Sequence, residues 1–150
     1  MRTLLTATIA VSLFGMSAAW AGTDMAARVL DRHVAAMKKG DLAGVMADYA
    51  DDAVVIAPHG IGPGRAAGPL WDVFPGKANA SKLFAVLTDR NHVGANRTMR
   101  TRYDMRSHGV TLMHWVQNPG TAQQVSGTDI FVIRDGKIAF QDVTINPPAH

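Results

Sequence analysis

The first half of the chain carries apolar residues at helical spacing, and this pattern predicts three helices. They are expected over residues 23–39, 42–49 and 78–88. Gly40 favours the end of the first helix, because glycine readily adopts the left-handed conformation found there. Phe84 lies on the apolar face of the third helix. Each helix is therefore expected to bury one face and to expose the other.

The second half of the chain alternates apolar and polar residues, and this pattern predicts β-strands. The Asp135-Gly136 pair indicates a tight hairpin between the last two strands. The segment from His59 to Gly76 is rich in glycine and proline, and it is predicted to form a long irregular loop. The predicted strands cover residues 53–57, 97–106, 110–117, 123–134 and 137–145. Helices followed by antiparallel strands indicate an α+β fold with a curved sheet and the helices packed on one face.

The first 21 residues have the layout of a secretory signal peptide. Arg2 is followed by an uncharged, mostly apolar run over residues 4–16, and Ala19 and Ala21 then form a cleavage site. The apolar run is shorter than the roughly 20 residues that span a bilayer. We expect cleavage after Ala21, a mature domain over residues 22–150 that is periplasmic or secreted, and no stable membrane insertion after cleavage. An uncleaved N-terminal anchor is the alternative.

Composition narrows the possible functions. The chain has 150 residues, of which 47% are hydrophobic and 18% charged, and this balance is ordinary for one globular domain. The absence of cysteine excludes disulfides, zinc–thiolate sites and cysteine nucleophiles. The 6 histidines show no metal-binding spacing, so neither a metal nor a cofactor is expected. The net charge of +3 is too small to indicate a nucleic-acid partner. The arginines of residues 97–106 indicate a solvated strand face or, alternatively, a docking place for an anionic ligand.

Three segments of the chain carry a family resemblance. The first is Val29–Leu42, in which a predicted helix ends at a Gly-Asp pair. The second is Tyr49–Pro58, in which an Asp-Asp pair precedes an apolar strand. The third is Asp129–Ile138, which contains an Asp-Gly-Lys-Ile hairpin. Over about residues 25–146 the chain resembles nuclear transport factor 2-like domains, which include SnoaL-like polyketide cyclases and ketosteroid isomerases. The resemblance implies a cone-shaped sheet with an apolar pocket at its open end, and a homodimer packed through the sheet. It does not fix the activity, since this fold hosts enzymes and non-enzymatic modules.

Two polar residues in apolar patterns are the candidate catalytic residues. His33 lies on the apolar face of the first helix, and Asp129 shares a strand face with Phe131 and Ile133. The resemblance to ketosteroid isomerases implies that His33 stands where those enzymes carry the tyrosine that donates to the developing oxyanion. It also implies that Asp129 matches their protonated aspartic acid. The alternatives are a core histidine with one hydrogen bond, and an aspartate that is exposed or paired with an arginine.

The third group of the isomerase site, an acidic general base just before the proline that ends the first strand, is missing. Ala57 stands at this position, before Pro58, and this disfavours a ketosteroid isomerase. His59 is the candidate replacement. His114 and Trp115 face opposite sides of one strand, and the sequence leaves open which side lines the pocket. Trp71 and Phe74 lie in the predicted loop and are candidate lid residues. The candidate pocket residues are Tyr49, His59, Trp71, Phe84, Tyr103, His114 and Trp115.

The sequence therefore predicts an exported domain that binds a small, largely apolar or carbonyl-bearing molecule in a cone-shaped pocket. It leaves open whether the domain catalyses a reaction. Acid–base chemistry of the isomerase, cyclase or hydrolase type is one alternative. A non-enzymatic ligand-binding or dimeric interaction module of the same fold is the other.

Overall fold

The computed structural model describes residues 15–61, 71–106 and 108–146, with side chains from residue 24 onward. The helices are α1 (Gly15–Lys39), α2 (Leu42–Ala47), α3 (Lys77–Leu87) and α4 (Val93–Thr98). The strands are β1 (Tyr49–Pro58), β2 (Trp71–Pro75), β3 (Arg100–Met105), β4 (Val110–Gln117), β5 (Val125–Arg134) and β6 (Lys137–Ile145). The elements form an α+β domain, as the sequence predicts.

The prediction of three helices is wrong, because the described residues form four. α4 is only 6 residues long and has no apolar repeat, so the sequence pattern does not reveal it. Tertiary contacts stabilise it instead: the buried Asn96 donates from Nδ2 to the Leu87 carbonyl at 2.7 Å. α1 begins at Gly15, eight residues earlier than the predicted start at residue 23, and passes through the predicted cleavage site. Residues 1–14 of the predicted signal peptide lie outside the described residues, and cleavage stays a prediction.

β2 lies inside the segment that the sequence predicts to be a loop. It pairs antiparallel with β1, with Phe74 opposite Val55. β1 is also longer than predicted, since it begins at Tyr49 and includes the exposed Asp51 and Asp52. Pairing with Val54–Pro58 of β1 stabilises β2, whereas Asp51 and Asp52 lie where the register of β1 against β6 shifts. Residues 62–70 of the predicted loop lie outside the described residues.

The six strands form one mixed sheet in the order β2-β1-β6-β5-β4-β3. β1 runs parallel to β6, and every other neighbouring pair is antiparallel. One face, here called the inner face, is buried against the helices. Its residues include Ala53, Val55, Ala57, Thr111, Met113, Asp129, Phe131, Gln141 and Val143. The opposite, outer face is more exposed and includes Ile130, which keeps 37% of its accessible surface.

Two polar contacts hold α1 across the domain. The Arg32 guanidinium donates from Nη2 to the buried carboxylate of Asp48 at 2.8 Å. The neighbouring residue Asp31 accepts a hydrogen bond from the Tyr103 hydroxyl at 2.9 Å. These contacts orient the helix so that Leu30 and its apolar neighbours are buried in the core. Among the described residues, no helix combines the length and the apolar character needed to cross a membrane.

Candidate functional site

A cavity of about 510 Å³ lies between the inner face of the sheet and the helices. Its walls are largely apolar, and its polar groups are few. The apolar wall includes Val34, Met37, Phe84, Leu87, Met99, Met113 and Val143. The polar lining residues are His33, His92, Asn96, Gln117, Asp129 and Gln141. This composition is typical of a site for a small molecule, in which a few polar groups orient a mostly apolar ligand.

Asp129 is the acidic group of the cavity, and it is held by two side-chain donors. The Trp115 indole donates from Nε1 to Oδ1 at 2.7 Å, and the Gln141 amide donates from Nε2 to Oδ2 at 2.7 Å. The strand register explains the arrangement. Met113 lies opposite Asp129 on β4, and Trp115 follows two residues later on the same face. The Trp115 ring therefore reaches along β5 to the carboxylate.

Gly127 makes room for this tryptophan. It lies opposite Trp115 in the β4–β5 pair, and a Cβ atom at residue 127 would lie 2.6 Å from Cε2 of the indole. Such a Cβ would also collide with Cζ2 of the indole and with the Thr144 carbonyl oxygen. A side chain at Gly127 would thus displace the ring from its contact with Asp129.

Burial gives Asp129 an unusual affinity for its proton. The residue is only 4% exposed, and burial raises the pKa of its carboxyl from 3.8 to about 7. The hydrogen bonds from Trp115 and Gln141 oppose this rise, because they stabilise the ionised form. Asp129 can therefore gain or lose a proton near neutral pH.

Tyr49 lies behind this carboxylate and acts on it through Gln141. Its buried hydroxyl donates to Oε1 of Gln141, whose Nε2 points to Asp129. Burial raises the pKa of the Tyr49 hydroxyl well above its usual value, so the hydroxyl keeps its proton. The tyrosine thereby fixes the orientation of the amide that contacts the carboxylate.

His33 lines the same cavity from α1. Its ring makes edge-on contacts with the rings of Tyr49, Phe84 and Phe131, at centroid distances of 5.7, 5.7 and 5.9 Å. The residue is 3% exposed, and burial lowers the pKa of the imidazole from 6.5 to about 4. Its Nδ1 is buried and has no hydrogen-bond partner among the described residues. The structure therefore brings a neutral histidine and a readily protonated aspartate to one cavity.

The predicted pocket residues fall into two groups. Phe84 and Trp115 line the cavity, and Tyr49 lies behind its polar wall. Trp115 belongs to the inner face, and this is the face of the sheet that lines the cavity. His114 is on the outer face, where its Nδ1 lies 3.0 Å from the Thr128 hydroxyl and its Nε2 lies 3.1 Å from Asp104.

Three other predicted pocket residues are not among the lining residues of the cavity. Tyr103 bonds to Asp31 on α1, and burial raises the pKa of its hydroxyl to about 12. His59 lies with Nδ1 at 3.3 Å from Asp72, and its Nε2 is buried without a partner among the described residues. Trp71 begins β2 and is 43% exposed, so the described structure has it on a strand and not on a loop lid.

Sequence reasoning missed Gln141, which lies between Asp129 and Tyr49. The available signal was its place in the last strand, two residues before Val143, with which it shares one face. It also missed Asn96, because α4 was not predicted, and Gln117, because its partner Asn96 lies on that helix. Ala57 is buried on β1 and supplies no carboxyl group there. Among the described residues, no three histidine or acidic side chains come together closely enough to hold a metal ion.

A family profile for the SnoaL-like domain matches residues 30–141 of the chain. No curated protein is matched by sequence. Solved structures share the fold at low identity. A nuclear transport factor 2-like protein of unknown function from Burkholderia xenovorans LB400 is 16% identical, with a TM-score of 0.63, and the match covers 85% of this chain and 87% of that one. A Bacillus subtilis protein provisionally described as an isomerase is 16% identical, with a TM-score of 0.62, over 84% of this chain and 89% of that one. A de novo designed protein with a curved β-sheet is 14% identical, with a TM-score of 0.62, over 83% and 87%.

Proposed function

The chain belongs to the SnoaL-like domain family, and we propose that it binds a small, largely apolar molecule with a hydrogen-bond acceptor in the cavity lined by His33 and Asp129. The observation that carries this proposal is the convergence of the two buried polar residues on one mostly apolar cavity of about 510 Å³. Apolar walls favour uptake of an apolar body, and a buried polar group favours a ligand atom that satisfies it.

His33 supplies a neutral donor in this proposal. Because burial lowers its pKa to about 4, the ring carries a single proton at neutral pH. Nδ1 is buried without a partner among the described residues, and an unpaired buried N–H is rarer in proteins than an unpaired lone pair. The proton therefore belongs on Nε2. That nitrogen then donates to a ligand acceptor such as a carbonyl oxygen.

The test uses prodan, a neutral naphthalene ketone whose emission shifts with polarity and with hydrogen bonding to its carbonyl. We expect saturable binding with a blue shift, and about tenfold weaker binding by His33→Phe, which keeps the ring but loses the donor. His114→Phe, on the outer face, is the matched control and should bind like the wild type. Absence of saturable binding, or equal binding by the two variants, would contradict the proposal.

Acid–base catalysis is a second candidate function, and the pKa of Asp129 near 7 favours it. A carboxyl group with this pKa can pass a proton to or from a bound ligand at neutral pH. The ketosteroid isomerase reaction remains disfavoured, because the position of its general base is the buried Ala57. We expect no turnover of a β,γ-unsaturated cyclic ketone, and measurable isomerisation abolished by Asp129→Asn would reverse this conclusion. A non-enzymatic binding module predicts ligand release in unchanged form.

We also propose a homodimer packed through the outer face of the sheet. Val73 and Ile130 lie on this face and are 59% and 37% exposed, so a dimer packed there would remove apolar surface from water. Analytical ultracentrifugation should give a dimer for the wild type and a monomer for Ile130→Asp. A monomeric wild type would contradict the proposal.

Export completes the proposed function. The apolar run followed by Ala19 and Ala21 supports removal of the first 21 residues. N-terminal sequencing of the protein purified from a periplasmic fraction should begin at Gly22. An intact N-terminus in that fraction would instead favour the uncleaved anchor.

A further inference from the structure

The polar lining residues of the cavity form two separate zones. The inner zone consists of His33, Asp129 and Gln141, which are 3%, 4% and 2% exposed. The rim zone consists of His92, Asn96 and Gln117, and the side chain of His92 is 47% exposed. A cavity with one buried and one accessible polar end offers a ligand two different hydrogen-bonding sites.

The strand register gives the separation of the zones. Met113, opposite Asp129, and Gln117 lie on the same face of β4, four residues apart. At about 3.3 Å per residue the two levels are roughly 13 Å apart along the strand. Trp115 and the apolar wall lie between them. Val125 and Ile145 line the cavity near Gln117 and are 40% and 41% exposed, which places the opening of the cavity at the rim zone.

The rim zone keeps an acceptor and a donor without partners among the described residues. Asn96 donates from Nδ2 to the Leu87 carbonyl at 2.7 Å and accepts Nε2 of Gln117 at 2.8 Å. This contact uses one of the two N–H donors of Gln117 and leaves the other N–H and Oε1 without a partner among the described residues. In His92, Nδ1 lies 2.9 Å from Asp89, whose pKa is lowered mainly by this hydrogen bond. Because an ionised carboxylate can only accept, His92 donates to Asp89 from Nδ1.

We propose that the ligand is an elongated molecule with an acceptor at the end that enters first and a hydroxyl group, which both donates and accepts, at the end that stays at the rim. This inference rests on the proposed function, in which the inner end is an acceptor for His33. The buried inner donor requires an acceptor, and the free Oε1 and N–H of Gln117 favour a group that both accepts and donates. The distance along β4 defines its length, which fits two linked rings better than one.

Two pairs of ketones test the inference by competition with prodan. The long pair is 4-acetylbiphenyl and its 4′-hydroxy derivative, and the short pair is acetophenone and 4-hydroxyacetophenone. In the wild type we expect the hydroxyl group to tighten binding of the long ketone roughly five- to tenfold, as one added hydrogen bond does. The hydroxyl group of the short ketone does not reach the rim zone and should give no gain.

Gln117→Met identifies the acceptor, and Gln123→Met, at an exposed residue outside the cavity, is its matched control. The gain from the hydroxyl group of the long ketone should fall to about onefold in Gln117→Met and persist in Gln123→Met. Equal affinity of the two long ketones in the wild type would overturn the inference alone. An equal gain in both variants would also overturn it. Failure of all four ketones to bind the wild type would overturn the proposed function as well.

Discussion

The two buried titratable groups of the cavity should give the protein opposite pH dependences of stability. Burial raises the pKa of Asp129 from 3.8 to about 7, so the folded state binds this proton more tightly than the unfolded state. Its contribution is fully present below about pH 4 and is lost as the pH rises to about 7. Burial lowers the pKa of His33 from 6.5 to about 4. Its contribution is present above about pH 6.5 and is lost as the pH falls to about 4.

The two effects have similar magnitudes in the same pH range. Each group changes the free energy of unfolding by about 1.4 kcal/mol per pH unit where it is charged in one state and neutral in the other. Between about pH 4.5 and 6.5 this amounts to roughly 2 kcal/mol for each group, after allowing for partial titration near the ends. Because the signs are opposite, Asp129 and His33 nearly cancel in the wild type.

Single substitutions should unmask the separate contributions. Urea unfolding followed by circular dichroism should show that Asp129→Asn gains about 2 kcal/mol of stability relative to the wild type as the pH rises from 4.5 to 6.5. His33→Phe should lose about the same amount over this range. Asp52→Asn is the control, since Asp52 forms an exposed ion pair with Arg134 and should leave the profile unchanged. If Asp129→Asn and Asp52→Asn give parallel profiles, the assignment of a raised pKa to Asp129 is refuted.

Three further substitutions have defined outcomes. Tyr49→Phe should lower the free energy of unfolding in urea by about 1–3 kcal/mol, because it leaves the buried amide oxygen of Gln141 unpaired. Tyr103→Phe should lower it by under about 1 kcal/mol, and equal losses in the two variants would contradict this reasoning. Gly127→Ala should lower Tm by several degrees in calorimetry, because its Cβ would collide with the Trp115 ring. Gly94→Ala should not lower Tm, since a Cβ there meets nothing within 4 Å. An unchanged Tm in Gly127→Ala would contradict the close packing. Trp115→Phe removes a hydrogen-bond donor to Asp129 and should raise the pKa of this carboxyl group, as followed by NMR of the carboxyl carbon. An unchanged titration of Asp129 would refute the hydrogen bond.

The long elements of this fold could be predicted from sequence because their patterns report their own burial. β4 and β6 have the predicted bounds, since alternation along a strand is set by the two faces of a sheet. α4 and β2 could not be predicted in this way. α4 depends on the Asn96 contacts, and β2 depends on pairing with β1, and neither dependence appears in a local pattern.

The candidate site shows the same division. The polar residues His33 and Asp129 were identifiable because each interrupts an apolar face. The strand pattern separated Trp115 from His114 but did not say which of them faces the helices. That choice depends on the packing of α1 and α3 against the sheet, which is a long-range property. Gln141 was missed because its role requires contacts with two residues far away in the sequence.

The proposed function depends most on His33 as the donor to a ligand in the cavity. The most direct measurement is a long-range ¹H–¹⁵N NMR spectrum of the imidazole nitrogens during titration with prodan. We expect a neutral His33 protonated on Nε2, with the signal of this nitrogen shifting on binding while the signals of the His114 nitrogens stay unchanged. A free His33 protonated on Nδ1, or unmoved His33 signals at saturating prodan, would contradict the proposed function.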